Sequence, residues 1–271
     1  MSRLSICTLS PLNLLKRCGA LPFLMVVATI IGLETSVAVP EPIKADSEQQ
    51  QSPLSGTNKI VVVGDSITQA GGQYGGYVWL FRRYLNTLYP GESIEIIPSG
   101  VSGNKSTDLE ARFHQDVLLH RPNLVVINVG VNDVMQSFHK SSESETDPSP
   151  LEIYRQKLSA MVKAARARNI RVLLLSPTII YEDLNSRENI RMVEYINAMR
   201  DVAAQNQVQF LDLHTPFRHI IMTYQRYGGR SQNILTRDGI HPNHAGHQIM
   251  TYILLRGLGV PEDKIQHLTF D

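Results

Sequence analysis

The stretch Lys59-Ile-Val-Val-Val-Gly-Asp-Ser-Ile-Thr68 sets the architecture. Its first half is a short β-branched run closed by a glycine and a polar turn, the pattern of a strand covered on both faces. Four more runs of this kind follow: Ile94-Glu-Ile-Ile97, Leu124-Val-Val-Ile-Asn-Val129, Val172-Leu-Leu-Leu175 and Val208-Gln-Phe-Leu211. Each is bounded by Gly, Pro, Asn or Asp, which favours strands over fragments of buried helix. Longer amphipathic segments separate them, near 77–89, 106–120, 151–169 and 187–205, with a last one near 243–258. Five strands alternating with helices predict an α/β domain, a three-layer α/β/α sandwich around a five-stranded parallel sheet. Ligands of such sheets collect outside the carboxyl ends of the strands. The loops after strands one, two and three, and the loop before the last helix, are therefore the places to search for chemistry.

Outward from that core, the chain has 271 residues, of which 42% are hydrophobic and 19% charged, an ordinary composition for one sizeable domain. Lys+Arg 26 against Asp+Glu 25 leaves a formal charge of +1. That balance lacks the clustered basic excess that nucleic acid or an anionic membrane surface would call for, and favours a small molecule or a neutral polymer as partner. At the N-terminus, Arg3, Lys16 and Arg17 precede an apolar run from Ala20 to Leu33, and Ser36-Val37-Ala38 follows. This order predicts a signal peptide over residues 1–38 and export to the periplasm or the medium. The run is about 14 residues, short of the ~20 that span a membrane, and Pro22 interrupts it; an uncleaved N-terminal anchor is the alternative. Cys7 and Cys18 both precede the cut, so disulfides and thiol chemistry drop out of the mature chain. Residues 39–58, rich in Pro, Ser and Gln, predict a flexible linker, and 59–271 the folded domain. The polar stretch 135–150 predicts a long loop, either a solvated connector or a lid.

The four loops hold Gly64-Asp65-Ser66-Ile67-Thr68, Ser99-Gly-Val-Ser-Gly103-Asn104, Gly130-Val131-Asn132-Asp133 and Asp238-Gly239-Ile240-His241-Pro242. Taken singly, each has an ordinary explanation as a turn or a cap. Their convergence on one edge of the predicted sheet does not. In this order the segments resemble the conserved blocks of the SGNH/GDSL hydrolase superfamily, over roughly residues 59–258. The resemblance implies a flavodoxin-like SGNH hydrolase fold, Ser66 as nucleophile, and Asp238 and His241 as the other triad members. It also implies an oxyanion hole built from Ser66, Gly103 and Asn132, and needs no cofactor.

Chemistry supports those roles independently. A serine hydroxyl is a weak nucleophile until a base takes its proton, and neutral imidazole does so near pH 7. An Asp three residues before that His can hold its other ring N–H and fix the tautomer. Glycine at 103 lets backbone approach a substrate closely. The implied activity is hydrolysis of carboxylic acyl esters, with short acyl groups such as acetyl carried on carbohydrate or a small alcohol. A lysophospholipase or thioesterase of the same family, or a non-catalytic carbohydrate- or nucleotide-binding module on this fold, are the alternatives.

Other constellations are weaker. Gly100-Val-Ser102-Gly-Asn104 misses the Gly-x-Ser-x-Gly elbow at its fifth residue, leaving Ser102 a distant second nucleophile. His241, His244 and His247 recur every three residues without the Glu of His-Glu-x-x-His, so no metal is expected there. Gly71-Gly72-Gln73-Tyr74-Gly75-Gly76 lacks the Lys of a phosphate loop. It reads as a loop giving access to Ser66, with Tyr74 or Tyr77 as substrate contacts, while Trp79 and Leu80 read as core.

Overall fold

In the computed structural model, which describes residues 53–139, 148–229 and 233–268, the run after Asn58 forms β1 (Lys59–Gly64). Ile60, Val61, Val62 and Val63 are all fully buried. With no exposed face to alternate towards, such a strand needs helices on both sides and a partner on each edge. Its neighbours are β2 (Glu95–Gly100) and β3 (Leu124–Asn128), both parallel to it. β4 (Arg171–Leu175) and β5 (Gln209–Leu211) extend the sheet beyond β3, giving the order β2-β1-β3-β4-β5 with every pairing parallel. All five expected strands are present, and the three-layer α/β/α sandwich holds. The sheet grows first to one side of β1 and then to the other. The connections therefore part at the carboxyl ends of β1 and β3, which opens a crevice at the switch point.

The helices are α1 (Ser66–Gly71), α2 (Tyr77–Leu88), α3 (Ser106–Asp116), α4 (Val131–Ser137), α5 (Pro150–Arg166), α6 (Arg187–Gln205), α7 (His214–Arg226), α8 (His244–Gly257) and α9 (Glu262–Gln266). The helix expected over 106–120 stops at Asp116; a separate 3₁₀ turn, Leu118–His120, ends at Arg121 in the left-handed region. Four helices escape the pattern reading: α1, α4 and α9 are too short for a 3.6-residue period to register, and α7 carries Pro216 in its first turn. Side-chain caps start the long helices, with Ser149, Ser186 and Asn243 accepting from the N–H groups of Glu152, Asn189 and Gly246.

Two boundaries move. Leu54, placed in the expected linker, is fully buried, and Asn123 Oδ1 accepts from the N–H groups of Asn58 and Lys59. Leu54 thus belongs to the packed domain, because an apolar side chain within reach of the core is buried whatever its neighbours' composition. The loop expected over 135–150 loses both ends, since Met135–Ser137 belong to α4 and Pro150 opens α5. The expected signal peptide, the rest of the linker and residues 140–147 lie outside the described residues.

α1 lies hard against the ends of β1 and β2. A Cβ on Gly100 would stand 2.0 Å from the Gln69 nitrogen, and one on Gly64 would stand 2.1 Å from Thr68 Oγ1. Only hydrogen at these two positions lets the helix settle there. We expect Gly100→Ala to destabilise the domain by about 3 kcal/mol, the upper part of the usual range for forced overpacking. A urea denaturation midpoint equal to wild type would refute this close approach.

Candidate active site

β1 ends in Gly64, and the chain turns at once into α1, so Ser66 stands as the first residue of a helix at the switch point. Asp65 makes the turn: it sits in extended conformation as the N-cap, and its Oδ1 accepts from the Ile67 N–H at 2.9 Å. The first-turn N–H groups of a helix have no intrahelical partner, so the Ser66 amide is offered as a donor at the crevice.

From the far end of the chain, the loop before α8 brings His241 to within 2.9 Å of Ser66 Oγ through Nε2. The other ring nitrogen, Nδ1, lies 2.6 Å from Asp238 Oδ2. A proton on Nδ1, donated to that carboxylate, leaves Nε2 free to accept from the serine hydroxyl; the network assigns this tautomer. Asp238 Oδ1 accepts in turn from the N–H groups of Ile240 at 3.0 Å and His241 at 2.8 Å. Partial burial pushes the Asp238 carboxyl up, but the His241 N–H, its ring and the Ile240 N–H outweigh that and hold it down at about 2. It is therefore an anion across the neutral range.

On the opposite wall, Gly103 adopts φ +80°, and a Cβ there would meet only open space. Its conformation favours glycine, and the residue lines an open cleft. Asn132, second residue of α4, points its amide into the same region and donates from Nδ2 to the Asn104 carbonyl at 2.9 Å. A cleft of about 340 Å³ opens beside these two residues and is lined also by Lys105, Asp108, Gln136 and His139.

Two side chains that motif reading passed over hold this wall together. Asp133 accepts from the Ser106 N–H through both oxygens at 3.1 Å, and from the Ser106 hydroxyl at 2.5 Å. It pins the start of α4, and so Asn132, to the start of α3, and so to the Gly103 loop. Arg112 reaches the Asn104 side chain, Ser99, the Gly64 carbonyl and Asp116, joining the ends of β1 and β2 to that loop. A guanidinium suits the task because its five donors spread in a fixed fork. Arg112 and Asp116 stand four apart on one helical face, a spacing legible in sequence, although their targets are not.

Other expectations are corrected. Tyr77, expected as a substrate contact, is fully buried; its hydroxyl lies 2.8 Å from Thr68 Oγ1, and its N–H meets His247 Nδ1 at 3.3 Å. It locks α1, α2 and α8 together and has no surface to offer a ligand. Tyr74 is 84% exposed, with its ring 4.6 Å from the half-buried Trp79. Ser102 donates its N–H to Gln69 Oε1 at 2.9 Å. The three histidines go separate ways. His241 turns to Ser66, the exposed His244 pairs with Gln248, and His247 stacks on Tyr77. Burial, with help from Arg237 and His244, pushes His247 down to about 4.

The buried carboxyls behave unlike Asp238. Burial, reinforced by Asp133, raises Asp65 to about 7, against the pull of the Ile67 N–H and His241. Burial likewise raises Asp133 to about 6, opposed by Ser106. A carboxyl whose folded pKa lies above its unfolded value of about 3.9 contributes stability that is complete below that value and lost as pH rises through the folded pKa. Asp65→Asn keeps the capping acceptor and has no proton to lose. Between pH 5 and pH 8 the melting temperature of Asp65→Asn should therefore gain on wild type. A difference that stays constant or falls over that window would contradict the assignment.

Residues 62–249 match the model of the GDSL-like Lipase/Acylhydrolase family. The chain is 28% identical over 214 residues to an acetylxylan esterase of Geobacillus stearothermophilus, covering 74% of this chain and 94% of that one. It is 27% identical over 184 residues to the esterase TesA of Pseudomonas aeruginosa, covering 68% and 79%. Among solved structures, a crystal structure of an acetyl xylan esterase superposes with a TM-score of 0.64 at 32% identity, over 73% of this chain and 98% of that one. The Geobacillus enzyme has been solved as catalytic mutants in which a serine, an aspartate and a histidine are each replaced by alanine. With the family model running from within β1 into α8 and taking in all four loops of the crevice, this chain belongs to the GDSL-like lipase/acylhydrolase family and is a carboxylic ester hydrolase.

Proposed function

We propose that this protein is a serine esterase that removes short acyl groups, acetyl above all, from a hydroxylated alcohol such as a carbohydrate. The observation that carries the reading is the continuous line Ser66 Oγ, His241 Nε2, His241 Nδ1, Asp238 Oδ2, with steps of 2.9 and 2.6 Å between residues. Ser66 Oγ bonds to the acyl carbon as its proton passes to Nε2. The carbonyl electrons move onto the oxygen, which accepts from the Ser66 N–H, the Gly103 N–H and the Asn132 side-chain amide. Collapse breaks the bond to the alcohol oxygen, which takes the proton from Nε2 and leaves. Water then attacks acyl-Ser66 with the same proton path, freeing the acid and restoring the hydroxyl. Asp238, anionic throughout, favours the imidazolium formed in each half-reaction.

The preference for a hydroxylated alcohol rests on the cleft beside Gly103 and Asn132, whose lining by Lys105, Asp108, Gln136 and His139 offers hydrogen-bonding groups. The names of the relatives, acetylxylan esterase and probable rhamnogalacturonan acetylesterase, point the same way. Export is part of the proposal, resting on the basic, apolar and small-residue order of residues 1–38. Among the described residues, no helix is long and apolar enough to cross a membrane.

We expect the purified protein to hydrolyse p-nitrophenyl acetate and acetylated xylan, and Ser66→Ala to be inactive on both. Asn132→Ala should fold normally and lose about 2.7–4 kcal/mol of transition-state stabilisation, a 10²–10³-fold fall in kcat. Wild type and Ser66→Ala equally inactive across acyl lengths would sink the esterase reading. A rate on the octanoyl ester above that on the acetyl ester would sink the short-acyl assignment. N-terminal sequencing of the protein recovered outside the cytoplasm should begin near Val39; a product retaining residue 1 would refute cleavage.

A further inference from the structure

Asp238 and His241 have side chains 53% and 29% exposed, while Leu235, Thr236 and Gly239 of the same loop are buried. Within the loop, Arg237 donates its N–H to the His241 carbonyl and Asn243 donates its N–H to the Leu235 carbonyl, each at 2.9 Å. One buried carboxylate on a different element adds a restraint from outside the loop. Glu182, 9% exposed, follows β4, and its Oε1 accepts from the Leu235 N–H, the Thr236 N–H and the Thr236 hydroxyl, each at 2.9 Å. Its Oε2 accepts from the Ile234 N–H at 2.8 Å. Thr236 Oγ1 accepts from the Gly239 N–H at 3.1 Å, and the Gly239 carbonyl accepts from the Tyr181 N–H at 2.5 Å. The grip thus runs directly into the turn between Asp238 and His241.

Glu182 is itself held. Asn189 of α6, almost wholly buried, accepts from the Ile180 N–H and donates to the carbonyls of Ile180, Tyr181 and Asp183. Gln225 of α7 donates to the Glu182 carbonyl. Four donors converge on one side chain, and only an ionised carboxylate is acceptor on every side. A glutamine of the same shape would turn a donor towards at least one of those N–H groups. Charge-assisted bonds of this kind are also the stronger ones.

The geometry points to Glu182 as a positioning residue for the reaction: it fixes the acid–base loop so that His241 stays within reach of Ser66. This rests on the triad reading. With p-nitrophenyl acetate as substrate, Glu182→Gln should fold, with a cooperative melt, and lose about 10- to 100-fold in kcat with KM within about twofold, the effect of a base displaced by about 1 Å. The acid limb of its kcat/KM profile should move to lower pH, because a displaced Asp238 no longer favours the protonated ring. Thr236→Val, which removes a single hydroxyl from the same grip, should move both readouts in the same direction by less. Activity per folded molecule and an acid limb matching wild type in both variants would overturn the proposal, as would failure of both to fold, which would assign Glu182 to stability alone. A wild-type protein without esterase activity overturns the triad reading and this proposal with it; an active wild type beside an unaltered Glu182→Gln overturns this proposal only.

Discussion

Burial of β1 on both faces, with β2 on one edge and β3 on the other, is the constraint from which the site follows. A strand of Ile and Val with no exposed face has to sit inside the sheet and not at its edge. The connections must then leave its two neighbours on opposite sides, and a gap opens at their carboxyl ends. Ser66 fills that gap because the turn out of β1 is immediate. The turn can be immediate because Gly64 and Gly100 let α1 rest on the strand ends.

Around that fixed serine, polar bonds set the geometry more than apolar packing does. Asp133 and Arg112 tie the Gly103 loop to α4 on one wall, and Glu182 ties the Asp238–His241 turn to the loop after β4 on the other. Loops at this sheet edge bury residues such as Ile180 and Leu235, but positioning reacting groups left open to substrate falls to other contacts. Hydrogen bonds, which fix direction as well as distance, take over that task.

The carboxyls of the site are sorted by solvent. Asp65 and Asp133 are buried and pushed upwards, to about 7 and about 6. Asp238, half exposed and fed by two backbone N–H groups, is held down at about 2. Desolvation dominates where water is excluded, and donated hydrogen bonds dominate where it is not. The one carboxylate that must remain charged beside an imidazolium is the one left in contact with water.

Much of this was legible in the chain itself. Five short apolar runs, each closed by Gly, Asn, Pro or Asp, determined the strands, their parallel pairing and the edge where chemistry would gather. The spacing of Asp238 and His241, and the residues flanking Ser66, named the family. Tyr77 was misjudged because an aromatic beside a glycine loop looks the same in sequence whether it faces solvent or core; only the packing of α2 against α8 decides that. Glu182 and Asp133 carry no local signal of their targets, since their partners lie 52–54 and 27 residues away, and nothing near Arg112 in sequence announces its bond to the Gly64 carbonyl, 48 residues away. Periodicity and motif are properties of neighbours along the chain, so sequence determined the elements and the reacting groups. The angles and distances between those groups belong to contacts that form only when remote segments meet, and the tertiary structure alone decided them.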